Sequence, residues 1–289
     1  MKNLFTIICI VFCSIANAQE AANRFFYELT YAPNKDSLQK KIQVMTILDI
    51  TKNRSVYRDY LTVAQDSILK VQVDAMIKAG TSTDISKSIK PAKFNHIITK
   101  SYPTMEICYT EIILQDKISY KETKPFKWNI TSEKAKIGEY NAQKAKTTFA
   151  GRNWIAWFST EFPFQDGPYK FSGLPGLIIK VEDDAKNYSW ELKGNKRIEN
   201  FDPESYIEKL MKQFGQGTAN LQVNREKFEQ IYSDYTKDPF GSIRSQIPED
   251  AKMADGSSVS QMMKDAQERI KKKLTENSNS IELIPTKKK

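Results

Sequence analysis

Bulky and polar residues alternate over 25–31 and again over 43–50. Only an extended chain puts every second side chain on one face, so this period of two commits both stretches to β-strands with one side buried. Pro33, Asn34, Lys35 and Asp36 form a polar turn between them, and Thr51, Lys52, Asn53 and Arg54 follow the second. Turns this short join antiparallel neighbours. A third strand is predicted over 55–60. Over 63–79 the period becomes helical, with Ile68, Val71, Val73, Met76 and Ile77 recurring before the stop at Gly80. Strands are then predicted at 94–101, 105–110, 117–122, 126–130, 140–148, 154–158, 177–182 and 188–192, with a hairpin turn at 183–187. After Asn200 the pattern turns helical: 204–214 behind Asp202 and Pro203, a second helix capped near Asn224 and running to 235, and a third over 259–274. The expectation is one α+β domain over 19–289. It is a mostly antiparallel, curved β-sheet with one helix after the first strands and helices in the C-terminal third, about 202–275.

The start of the chain predicts where that domain works. Lys2, an apolar run over 4–15 and Ala16-Asn17-Ala18 compose a cleavable signal peptide spanning 1–18. The run is shorter than the roughly 18–20 residues a bilayer-spanning helix needs. Export follows, to the periplasm, the outer membrane surface or the exterior, with no transmembrane segment expected in the mature chain. Cys9 and Cys13 leave with the signal, so Cys108 remains alone and no internal disulfide is available. Apolar residues make up 40% of the chain and aromatic ones 11%, enough for a core to hold the fold unaided. The net charge of +9 is spread along the sequence outside 271–273 and 287–289. Nucleic acid binding wants a clustered basic stripe, so the charge points instead to anionic envelope surfaces or simple solvation.

Catalytic arrangements are scarce. His96 is the single histidine, and no Gly-X-Ser-X-Gly elbow surrounds any serine. Cys108 and His96 fall in adjacent predicted strands but carry no nucleophile signature. One histidine and one mature cysteine are too few for a zinc enzyme, and Glu161, Asp166, Glu182, Asp183 and Asp184 match no EF-hand spacing. No cofactor or metal is expected.

Residues 151–181 carry the most information, within a motif-bearing core of about 133–192. Trp154, Ala156 and Phe158 share one face of a strand, with Ile155 and Trp157 on the other. Gly173 and Gly176 permit unusual backbone or close approach, while Pro175 stiffens the loop between them. Two readings stand: a buried corner feeding the next strand, or a rigid apolar lip over a ligand. On the second, Arg152, Trp154, Trp157, Asp166 and Lys170 are the candidate ligand contacts.

Gly173, Leu174, Pro175, Gly176, Leu177 and Ile178 spell out the name of the GLPGLI family of Bacteroidetes, which this sequence resembles. The resemblance extends through Gly138-Glu139-Tyr140, Gln143-Lys144-Ala145, Gly151-Arg152, Ala156-Trp157-Phe158 and residues 167–172, then to Tyr188 and Ser280-Ile281-Glu282-Leu283. Ala142 stands where similar proteins often carry cysteine, so no redox or metal role attaches to that position. The resemblance implies an exported protein of unknown activity, encoded near TonB-dependent outer-membrane receptors. The resulting expectation is a non-catalytic envelope protein that binds an apolar small ligand or an outer-membrane receptor or other envelope partner. The alternative is an envelope hydrolase using paired carboxylates.

Overall fold

The alternation at the start of the chain becomes β1 (Ala22–Tyr31), with Phe25, Tyr27, Leu29 and Tyr31 buried on one face. In this computed structural model residues 20–283 are described, apart from 82–89, 91, 115, 214–219, 249 and 254. The predicted signal peptide and the lysines at 287–289 lie outside the described residues. β1 is followed by β2 (Ile42–Ile50), β3 (Arg54–Asp59) and the helix α1 (Tyr60–Ala79). Then come β4 (Ile97–Ser101), β5 (Glu106–Ile113), β6 (Asp116–Glu122), β7 (Asn129–Ile137), β8 (Tyr140–Phe149), β9 (Arg152–Ser159), β10 (Leu177–Asp183) and β11 (Tyr188–Ile198). The last part holds α2 (Tyr206–Gln213), β12 (Asn220–Val223), α3 (Arg225–Lys237), α4 (Gly241–Arg244) and α5 (Val259–Glu276).

Among the described residues the strands form one twelve-stranded sheet in the order β12-β6-β5-β4-β3-β2-β1-β11-β10-β9-β8-β7. Every pairing is antiparallel except that of β12 with β6. Ile98 on β4 and Ala145 on β8 belong to one core cluster although seven strand positions separate them. In a flat sheet that separation is about 34 Å, at roughly 4.8 Å per strand. The sheet is therefore curled toward its inner face. Its interior is filled by its own chain: the connection 160–176 between β9 and β10 supplies Phe162, Phe164, Tyr169, Phe171 and Leu174 to the core.

The helices take both sides. Asp59 caps α1 by accepting from Leu61 N at 2.8 Å, and Gly80 ends it with φ 62°. The helix expected over 204–214 begins at Tyr206 instead. Asp202 accepts from Glu204 N in a local turn, and both carboxylate oxygens of Asp66 on α1 accept from Tyr206 N. Ser205 Oγ accepts from Glu208 N at 3.1 Å, so the local cap sits three residues beyond Asp202 and Asp66 adds a tertiary partner. On the opposite, inner side, Phe228 of α3 packs its ring on Tyr109 and Tyr120. Strand β7 extends well past the expected 126–130. Its residues are largely exposed because it is an edge strand, so the two-residue hydrophobic signal is missing from its sequence. Among the described residues no helix is long and apolar enough to cross a membrane.

Candidate functional site

The corner at 173–178 is built from close contacts. Leu174, Leu177 and Ile178 are fully buried, while Gly173 and Pro175 face outward. A Cβ at residue 176 would lie 2.3 Å from the Ser159 carbonyl oxygen, so only glycine lets the loop press against the end of β9. Gly173 N donates to Gln165 O and Ile178 N to Asp166 O, closing the connection on itself. The Trp128 indole N–H donates to Ser172 O at 2.8 Å.

Three buried ionic groups hold this interior. Asp166, 1% exposed, accepts from Ser55 Oγ, Lys100 Nζ, the Tyr102 hydroxyl and Gly167 N. It ties the connection to β3 and β4. Burial pulls the Lys100 ammonium below its ordinary pKa against the pull of Asp166. Lys170, 0% exposed, donates to the Tyr120 hydroxyl and Glu122 and pairs with Glu282. Burial opposes its charge, yet Glu282, Tyr120 and Glu122 outweigh that and hold it above the ordinary lysine value. Burial raises the Glu282 carboxyl, but Lys170, Tyr169 and Arg225 together outweigh it and hold it below the usual range.

The third group explains why the far end of the chain matters. Arg152 at the start of β9 donates to Asp183, Asn279 Oδ1, Ser280 O and Ile281 O. The Tyr188 hydroxyl donates to Asn279 O, and Asn279 donates back to Ala32 O. Leu283 N donates to Ala150 O, with Leu283 against the bare face of Gly151. Gly151-Arg152, Tyr169-Lys170, Tyr188 and the segment 280–283, far apart in sequence, therefore meet along one line. The C-terminal segment is strapped across the inner face.

Beside that strap lies a cavity of about 1010 Å³, bounded by residues 93–96, β5, β6, α3, α5 and residues 277–283. Rings dominate its wall: Tyr109 stacks on Tyr120 at 5.2 Å and on His96 at 5.6 Å, and Phe228 stacks on Tyr232 at 6.3 Å. Burial and the charge of Lys170 press the His96 pKa down to about 4, leaving a neutral imidazole at physiological pH. Glu111, on the same wall, accepts from the Tyr109 hydroxyl at 2.8 Å. Burial lifts its carboxyl to about 7, against that hydrogen bond and the charge of Lys273. The arrangement is an aromatic chamber holding a neutral base and an acid that titrates near neutrality.

The five contacts expected from sequence are spread elsewhere. Trp154 is sealed in the core, and its indole N–H donates to Phe149 O. Trp157 lies half-buried on the other side of β9 under Lys144. Arg152, Asp166 and Lys170 sit in three separate networks, and none of the five lines the cavity. Cys108 alternates with the inward Ile107 and Tyr109, so it faces away from His96 and the two cannot act as a pair. Sequence reasoning missed Glu111, Tyr109, Tyr232 and Tyr235. The signal available was the i, i+2 spacing of Tyr109 and Glu111, which put an acid on an inward-facing register. Among the described residues no group of three metal-ligating side chains gathers.

No curated protein matches the sequence. Among solved structures, two crystal forms titled as PNGF-II, in space groups C2 and P21, are similar at 13% and 12% identity, each with a TM-score of 0.47. Each alignment covers 73% of this chain and 32% of that one, so the chain spans about a third of their length. Residues 149–180, from the end of β8 through the glycine corner into β10, match the family model described as a protein of unknown function, Porph_ging.

Proposed function

We propose that the chain is an exported cell-envelope protein of the GLPGLI family that binds a small amphiphilic ligand in the chamber beside the C-terminal strap, without a covalent step of its own. The observation that carries this reading is the run of rings on the cavity wall, with Tyr109, Tyr120, Phe228, Tyr232 and Tyr235 among them, set between charged and polar side chains of α3, α5 and the strap. Small-molecule sites have this size and composition, apolar surface for affinity and a few polar atoms for orientation. The core does not require the space: the connection 160–176 fills the inner face of β8–β11 and reaches β4 through Lys100 and β6 through Lys170, while α3 and its rings cover the rest of β5 and β6. The motif corner serves the site at one remove, since Tyr169 lines the cavity and the adjacent Lys170 holds Glu282 of the strap.

The test is native mass spectrometry of the protein purified gently from the envelope of its producing cell. A reproducible mass excess over the bare polypeptide is expected. A bare polypeptide that also takes up no apolar probe would contradict ligand binding, and a complex with an outer-membrane protein would shift the role to partner binding.

A further inference from the structure

Three carboxylates line the cavity, and two of them are already neutralised. Glu229 pairs with Arg225 at 3.0 Å, and Glu282 with Arg225 at 2.8 Å and with Lys170. Glu111 is different. Its Oε2 accepts from Tyr109, and among the described residues no lysine or arginine nitrogen lies within 4.0 Å of its carboxylate. Around it stand rings from two elements. Tyr109 is edge-on to Phe228 at 5.5 Å, Phe228 stacks on Tyr232, and Tyr232 lies 6.3 Å from Tyr235. Ring faces attract cations, and a carboxylate beside them adds an opposite charge in a partly enclosed chamber.

Resting on the cavity reading above, we propose that the ligand is an organic cation, an ammonium group carried on an apolar body, with Glu111 as its counter-charge and the rings of Phe228, Tyr232 and Tyr235 as its cage. The apolar body lies along the remaining rings toward Tyr169 and Tyr188. An anionic ligand would place like charge against Glu111, and a neutral one would leave its carboxylate without a counter-charge. Uptake of the cation favours the ionised carboxylate, so binding strengthens as pH rises through neutrality. The groups facing Glu111 do not reverse this: Tyr109 on its own strand and Tyr232 and Tyr235 on α3 are all pushed above the ordinary phenol range by burial. They stay neutral across that interval; Lys271 and Lys273 on α5, Lys93, and the paired Arg225 and Glu229 on α3 also face the cavity.

Calorimetric titration of the full mature chain with three probes of matched shape tests this: benzyltrimethylammonium, benzoate and benzyl alcohol. The cation is expected to bind best at about pH 8, and roughly tenfold more weakly both at about pH 5.5 and in Glu111→Gln. Benzyl alcohol is expected to bind wild type and variant alike, which also reports that the variant's cavity is intact. Benzoate binding as well as or better than the cation, or a cation affinity indifferent to Glu111→Gln, would overturn the cation assignment while leaving the cavity reading standing. Failure of all three probes to bind would overturn both.

Discussion

At Gly176 there is room for a hydrogen and nothing larger, because the Ser159 carbonyl oxygen occupies the place of a Cβ. Gly173, three residues earlier, has φ 88° but open space around it. Substituting alanine should therefore separate backbone strain from collision. Gly173→Ala is expected to lower stability by about 1–2 kcal/mol through its conformation alone. Gly176→Ala should cost more than that and shift the melting transition further, because backbone must move. Equal melting temperatures for the two variants would show that the corner yields easily. The corner was legible from its two glycines and proline. The partners of the nearby charges were not, because Arg152, Asp166 and Lys170 find theirs on strands and segments distant in sequence. The buried acid and imidazole of the cavity give opposite pH signatures. Glu111 titrates near 7 when folded against an ordinary 4.5, so the stability it contributes is full below about pH 4.5 and is lost as pH rises through 7. Glu111→Gln should gain melting temperature relative to wild type between about pH 5 and 8. His96 titrates near 4 against 6.5, so its contribution is full above pH 6.5 and lost as pH falls toward 4. His96→Phe keeps a ring in the stack and should gain relative to wild type over that acid window. Paired melting curves across pH check both signs.

Among the elements, the C-terminal strap at 278–283 carries the largest structural consequence for its length. It satisfies Arg152 through three acceptors and Lys170 through one. Ending the chain after Asn277 would leave Arg152 with Asp183 alone and Lys170 with Glu122 and the Tyr120 hydroxyl, and each lost hydrogen bond to a charged group is worth about 1.5–3 kcal/mol. Domain stability is itself about 5–15 kcal/mol, so the shortened chain should be unfolded or should melt far below the intact one by circular dichroism. A truncated chain that melts with the full-length transition would mean that the strap only rests on the surface. The elements themselves show what local pattern can and cannot announce. Strands β1–β3 and helices α1, α3 and α5 were readable because alternation or helical period ran through them, and Asn224 announced its cap, whereas the caps Asp59 and Ser258 emerged only in the structure. The edge strands β7 and β12 were not, since one is largely exposed and the other is four residues paired parallel to β6. Neither needs a hydrophobic period to be held in place.

For the whole molecule, the defining property is a single sheet curled around its own β9–β10 connection, with the chamber left open where α3, α5 and the strap cover β5 and β6. Mostly antiparallel sheet with helices after it followed from the alternation and the late helical periods. The expected curvature is there as well, but its filling was not legible, because the side chains inside belong to a loop whose sequence does not say where it folds. The chamber is likewise a product of assembly: its rings come from strands, a helix and the strap. The most direct test is titration with the neutral fluorescent probe N-phenyl-1-naphthylamine, comparing wild type with Leu274→Trp, which fills the cavity from α5. Saturable binding by wild type, weakened about tenfold or more in the variant at an unchanged melting temperature, is the predicted result. Equal binding by both proteins would place the apolar site elsewhere and contradict the chamber's role.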